Sequence, residues 1–188
     1  HFDENGFVSW RSMINPEFLY PNKDWFKRNG KEVPSSIEGL EDNQLLCRLG
    51  GYKELARLRG YQKVTYEFTP THDGVSAVCI INWIPNYETL RAAVGYDGVS
   101  PQEVYVDFSS TANSTSQNCG DFMAAFKETQ AENRAFVRAV RNFLNINIVG
   151  DDEISKGMVI EQPKQPKQEN SVDLLDPYIT LQRHAENK

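Results

Sequence analysis

The stretch DFMAAFKETQAENRAFVRAVRNFL, residues 121–144, constrains the fold more than any other part of the chain. Phe122, Phe126, Thr129, Asn133, Phe136, Val140 and Phe143 recur in steps of four and three, which places them on one side of an α-helix. Lys127, Ala131, Arg134, Arg138 and Arg141 repeat the rhythm five residues later, roughly 140° round the same helix at about 100° per residue. One side asks to be buried and another carries four cations. A helix of this kind needs an apolar surface to cover, and the residues before it must supply one.

They do so with a period of two. In KVTYEFT, Val64, Tyr66 and Phe68 alternate with Thr65, Glu67 and Thr69, as in a half-buried strand. The Asp73-Gly74 pair signals a hairpin turn. The return strand VSAVCIINWI is apolar on both faces, so it is expected to be central and covered on both sides. Residues 88–98 are ambiguous, with a third strand one reading. QEVYVDFS, residues 102–109, alternates again, and the polar run SSTANSTSQNCGD then leads to the helix, with Asn118 or Asp121 as N-cap. Strands grouped ahead of one covering helix give an α+β class: an antiparallel hairpin or meander sheet on one long amphipathic helix, a β-β-β-α core.

The flanks are less regular. Residues 1–44 hold closely spaced prolines and the aromatics Phe18, Tyr20, Trp25 and Phe26, which predicts short elements packed on a core or on another subunit. From Ser35 a helical pattern with Leu40, Leu45, Leu46 and Leu49 is expected to stop at Gly50-Gly51. A short basic helix over 52–59 then ends at Gly60. The expected organisation is a packing segment over 1–44, a core over 45–157, a linker over 158–172 (EQPKQPKQEN has nothing apolar to bury) and a terminal motif over 173–188. That motif reads either as a docking peptide or as a helix folding back. The start, HFDENGFVSW, lacks an initiator Met and a signal-peptide pattern, so it reads as trimmed or as a His1 left by cloning.

Charge is what narrows the function. The chain carries a net −6, which at first argues against a nucleic-acid partner. Yet residues 45–63 hold Arg48, Lys53, Arg57, Arg59 and Lys63 against Glu54 alone, while 67–120 hold six acids and only Arg91. A whole-chain charge averages these blocks away. Cys47, Cys79 and Cys119 are scattered, as are the three histidines, so neither a disulfide framework nor a zinc site is expected, and a reducing cytoplasm is the default. No apolar run approaches the roughly 20 residues that span a bilayer, which predicts a soluble chain without a membrane partner.

Catalytic signatures are missing. There is no GxxxxGK[ST], no GxGxxG and no nucleophile elbow, so no enzyme and no cofactor are expected. Asp151-Asp152-Glu153 could in principle hold a divalent metal, but acidic triplets after a helix are far more often solvated. Glu103 and Asp107 share one face of a strand and read as its wet side. The cations are the better lead. Arginines on a helix commonly pair with glutamates four residues away, and neither Glu128 nor Glu132 has that spacing to Arg134 or Arg138.

The run AENRAFVRAVRNFLNINIV resembles the end of the core in phage single-strand annealing proteins of the RecT/Redβ/Erf type and their eukaryotic recombination-mediator relatives. The hairpin KVTYEFTPTHDGVSAVCIINWI and the strand QEVYVDFS fit the same β-β-β-α order, so the resemblance covers roughly residues 52–150. It implies ATP-independent binding and annealing of single-stranded DNA in homologous recombination and repair by a homo-oligomeric ring or filament. If phage-encoded, the protein would work in the bacterial host cytoplasm. A row of cations along a groove suits a phosphate backbone. The implied DNA-binding residues are Lys53, Arg57, Arg59, Lys63, Lys127, Arg134, Arg138 and Arg141, with Tyr61 and Tyr66 as base-stacking candidates. Both cationic clusters should then border one groove. The competing expectation is a non-enzymatic assembly or interaction protein, phage structural or regulatory, whose arginine stripe forms ion pairs between subunits. A metal-dependent recombination nuclease trails behind both.

Overall fold

The computed structural model describes residues 1–86 and 105–154, all within one compact unit, His1–Met158. The readings of residues 88–98, of the linker and of the terminal motif lie outside the described residues.

Three antiparallel strands form the main sheet: β3 (Tyr61–Pro70), β4 (Gly74–Trp83) and β5 (Val106–Thr115), in the order β3-β4-β5. A three-stranded companion precedes and follows it in sequence. There β1 (Leu19–Pro21) runs antiparallel to β2 (Leu45–Cys47), and β2 runs parallel to β6 (Val149–Gly150). Among the described residues the α-helices are α1 (Lys23–Arg28), α2 (Leu49–Arg59) and α3 (Lys127–Phe143). α3 crosses β4 and β5 on one face of the main sheet, while α2, β6 and a 3-10 turn over Asp151–Glu153 pack on its other flank. The α+β expectation holds, with a β-β-β-α core.

The alternation in the hairpin sets which face is buried. Val75, Ala77, Cys79, Ile81 and Trp83 of β4 are buried under α3, while Ser76, Val78, Ile80 and Asn82 on the other face remain half-exposed. β4 is central, as its apolar run required, but among the described residues only one of its faces is covered. β5 begins later than expected and takes in the polar run, because Ser109, Thr111 and Asn113 face outward while Ala112 and Ser114 are buried. Serine and threonine are acceptable on the wet face of a strand.

α3 departs from its expected start and from its expected buried face. Residues Asp121–Phe126 form a 3-10 turn, the α-helix begins at Lys127, and its N-cap is Phe126, not Asn118 or Asp121. Phe122 and Phe126, expected in the core, are 84% and 52% exposed. The buried set is Gln130, Ala131, Arg134, Ala135, Phe136, Val137, Ala139 and Val140, a broad alanine-rich band reached from both flanks. Alanines let the backbone of α3 approach its neighbours closely, which a count of large side chains does not register.

Gly50 and Gly51 do not end a helix. They lie inside the first turn of α2, and the segment before them is a 3-10 turn (Asp42–Gln44) and β2 rather than a helix. A Cβ on Gly50 would come within 2.5 Å of the Phe18 ring, and one on Gly51 within 2.7 Å of the Cys47 sulfur. Glycine is present there for close approach. α2 ends as expected at Gly60, where φ is 85°. Of the aromatics in the first 44 residues, Phe26 is buried and Trp10 and Phe18 pack against the chain's own core, whereas Phe2 and Phe7 are exposed.

Candidate nucleic-acid interface

The arginine stripe of α3 is not a free cationic face. Arg134 is 3% exposed, and its guanidinium donates to the carbonyls of Asn113 at 2.9 Å, Asn118 at 2.7 Å, Asp152 and Ile154, and to the Asn118 side chain at 2.9 Å. Burial lowers its pKa, yet an arginine stays protonated across the accessible range. Arg138 donates through Nε to Glu153 at 3.1 Å and through Nη1 to the Thr111 carbonyl at 2.7 Å. Arg141 donates through Nε to the other oxygen of Glu153 at 3.0 Å. These two arginines lack a partner within the helix because their partner comes from the turn after it.

Glu153 is the centre of this arrangement. Its side chain is 4% exposed and accepts from both arginines and from the Gly150 amide at 3.1 Å. Thr111 and Asn113 lie on β5, which pairs with β4 on one side, and the arginines satisfy carbonyls that the strand directs away from β4. Lys127 likewise donates to the Asp73 carbonyl at 2.6 Å and to Ser116 at 2.9 Å, closing the β3–β4 turn onto the loop after β5. Arg134 therefore leaves the set of DNA-contacting residues, since a buried guanidinium with five acceptors cannot also meet a phosphate. Lys127, Arg138 and Arg141 are engaged internally, though Arg138 keeps 39% of its side chain exposed. The acidic triplet, expected to be solvated, contains the anchor: Glu153 holds arginines, not a metal. Among the described residues no group of three His, Cys, Asp or Glu side chains could hold a metal ion.

The basic cluster at the α2–β3 junction divides three ways. Lys53 and Arg57, one helical turn apart, are exposed on the solvent side of α2. Lys63 is exposed on the outer face of the main sheet, in register with Asn82 and Asp107, whose side chains hydrogen-bond each other. Arg59 turns inward. Its guanidinium lies 6.0 Å from the Trp83 ring centroid and 5.6 Å from that of Phe143, and it donates to the Ile84 carbonyl at 2.7 Å. Arg59 thus lies beside Phe143, the last residue of α3. A single groove lined by both rows of cations is not formed, because the α3 row is spent on Glu153 and on backbone carbonyls.

Of the two tyrosines, Tyr61 is 36% exposed and sits edge-on to Trp83. Tyr66 faces the core side, stacks on Phe68, and hydrogen-bonds Cys79; burial first, then that contact, raises its hydroxyl pKa. It is poorly placed to meet a base. Leu58 and Ile84, 63% and 45% exposed, belong to the same junction as Tyr61 and carry no sequence signal. Among the described residues no helix is long and apolar enough to cross a membrane. Compared with models of protein families, with curated proteins and with solved structures, the chain matches none.

Proposed function

We propose that the protein binds single-stranded DNA and promotes its annealing without ATP, in homologous recombination, as a cytoplasmic homo-oligomer. The observation that carries this reading is the segment that joins α2 to β3: Lys53, Arg57 and Lys63 stand exposed on the elements to either side of it, and the Tyr61 ring is exposed at the start of β3, in a chain whose net charge is −6. Cations that a net-acidic chain gathers and leaves in solvent suit a phosphate backbone, and an exposed aromatic suits an unpaired base. The β-β-β-α order and the run AENRAFVRAVRNFLNINIV support it by resemblance. The interface is the α2–β3 junction with Arg138 at most a contributor, not the α3 stripe.

Binding of a labelled oligo-dT at two salt concentrations tests it. Affinity should fall as salt rises, with a slope of about 0.7 for each phosphate neutralised on a single strand. The double change Lys53→Ala and Arg57→Ala should flatten that slope. Absence of binding at low salt, or affinity indifferent to salt, overturns the reading.

One observation favours assembly as a separate role. Phe122 and Phe126 pair at 6.2 Å on the exposed turn before α3, and contiguous exposed apolar surface, where it is large, marks protein contacts. The assembly reading that used the α3 arginines as intersubunit ion pairs loses its basis, since Glu153 of the same chain takes two of them. If Phe122 and Phe126 join subunits, Phe122→Ser lowers the mass seen by light scattering while leaving the salt dependence of oligo-dT binding intact.

A further inference from the structure

Four aromatic rings and one cation meet where α2 ends, β3 begins, β4 ends and α3 ends. Trp83 and Phe143 stack in parallel, with centroids 4.5 Å apart and planes 6° apart. Phe108 leans on Phe143 at 5.5 Å, and Tyr61 stands edge-on to Trp83 at 6.3 Å. The Arg59 guanidinium lies beside the stacked pair, 6.0 Å from the Trp83 centroid and 5.6 Å from that of Phe143, and is pinned by the Ile84 carbonyl. Among the described residues no carboxylate lies within ion-pair distance of Arg59, which separates it from Arg138 and Arg141. Trp83 is fully buried, and its Nε1 finds no hydrogen-bond partner among the described residues.

The inner members of this group are rigid and the outer members reach solvent. Tyr61 is 36% exposed, and Ile84, 45% exposed, packs against Gly60, where even a Cβ would come within 3.1 Å of it. A flat, exposed ring two residues from a half-buried planar cation that has no counter-charge among the described residues is suited to a nucleobase and its neighbouring phosphate. A base paired within a duplex offers no free face to such a ring, so the arrangement selects single strands. An apolar peptide could use Tyr61 and Ile84 but would leave the Arg59 charge unanswered.

We propose that Tyr61 and Arg59 form a base-stacking subsite for single-stranded nucleic acid, made rigid from beneath by Trp83 and Phe143. This rests on the DNA-binding reading and adds that part of the affinity comes from the base rather than from the phosphates. Because the supporting rings are already stacked, little side-chain freedom is lost on binding. Arg59 contributes a stacking plane and a charge at once, which lysine cannot do.

The test compares labelled oligo-dT with an abasic phosphodiester of equal length, on the full chain, by fluorescence anisotropy. Wild-type protein should bind oligo-dT about tenfold more tightly than the abasic strand. Tyr61→Ala should lose that preference by weakening oligo-dT binding alone, and Tyr61→Phe should keep it. Arg59→Lys should weaken oligo-dT more than the abasic strand. Equal wild-type affinity for the two strands overturns the subsite while leaving the DNA reading intact. A Tyr61→Ala that weakens both equally also overturns it. Binding to neither strand removes the DNA reading itself, and a peptide ligand displaced by Tyr61→Ala in that case would assign the surface to protein.

Discussion

Arg141 donates through Nε to Glu153 Oε2 at 3.0 Å, twelve residues along the chain and across the turn that follows α3. Arg138 occupies the other carboxylate oxygen at 3.1 Å. One nearly buried glutamate thus satisfies two cations and a backbone amide, and it ties β6 and its turn to the helix. Removing one member of such a group leaves the others charged and poorly solvated. Glu153→Ala is expected to lower stability by roughly 2–3 kcal/mol, a discounted value because Arg138 is partly exposed. Urea unfolding measures it, and a change below about 0.5 kcal/mol would mean that the pairs contribute little.

Arg134 makes the opposite kind of prediction for function. Its fork serves four carbonyls and one amide oxygen at 3% exposure. A lysine offers three donors from one point and cannot span the Asn113, Asn118 and Asp152 acceptors together. Arg134→Lys should cost roughly 2–3 kcal/mol of stability through the acceptors it leaves unpaired. Protein that remains folded should bind oligo-dT as wild type does. Arg57→Ala should do the reverse, leaving the thermal midpoint in place and weakening binding. A folded Arg134→Lys with selectively lost affinity would return this arginine to the interface.

The periodic part of the fold is legible in the residues themselves: the two-residue alternation of Val64, Tyr66 and Phe68 and the Asp73-Gly74 turn specify the hairpin by local chemistry. The buried face of α3 is not, because Ala131, Ala135 and Ala139 are buried for closeness and the stripe of phenylalanines runs past the helix start. The site divides along the same line. Exposure of Lys53 and Arg57 follows from their place on a short helix. The engagement of Arg138 and Arg141 depends on Glu153, which no helical spacing connects to them. Intra-helix partners can be counted along the chain, whereas a partner in the next turn requires the chain to fold back.

Gly51 provides a test of close packing against helix propensity. Alanine in a helix interior is favoured over glycine by about 1 kcal/mol. At this position, however, the added methyl would meet the Cys47 sulfur at 2.7 Å and Phe18 Cβ at 3.0 Å, both in packed surroundings. Overpacking of that order typically costs about 1–3 kcal/mol. Gly51→Ala is therefore expected to be destabilising on balance, and Gly51→Ala with Cys47→Ala should recover part of the loss. A stabilised single variant would show that β2 and α2 can separate more easily than their contacts indicate.

Cys47 and Cys79 are fully buried, and burial pushes both thiols up to about 12 from an ordinary value near 9.0. In Cys79 the hydrogen bond with Tyr66 works against that rise and does not cancel it. The native state therefore keeps these protons at a pH where the unfolded chain releases them. Stability from this source is fully present below about pH 9 and is lost as pH rises from there towards 12. At pH 8 the two thiols should resist alkylation in native protein and react at once in denaturant, because the thiolate is the reactive form and neither is accessible. Cys79→Ala should make the alkaline decline in stability shallower. Rapid native labelling of Cys79 at pH 8 would mean that the α3 layer opens over β4 far more readily than its burial implies.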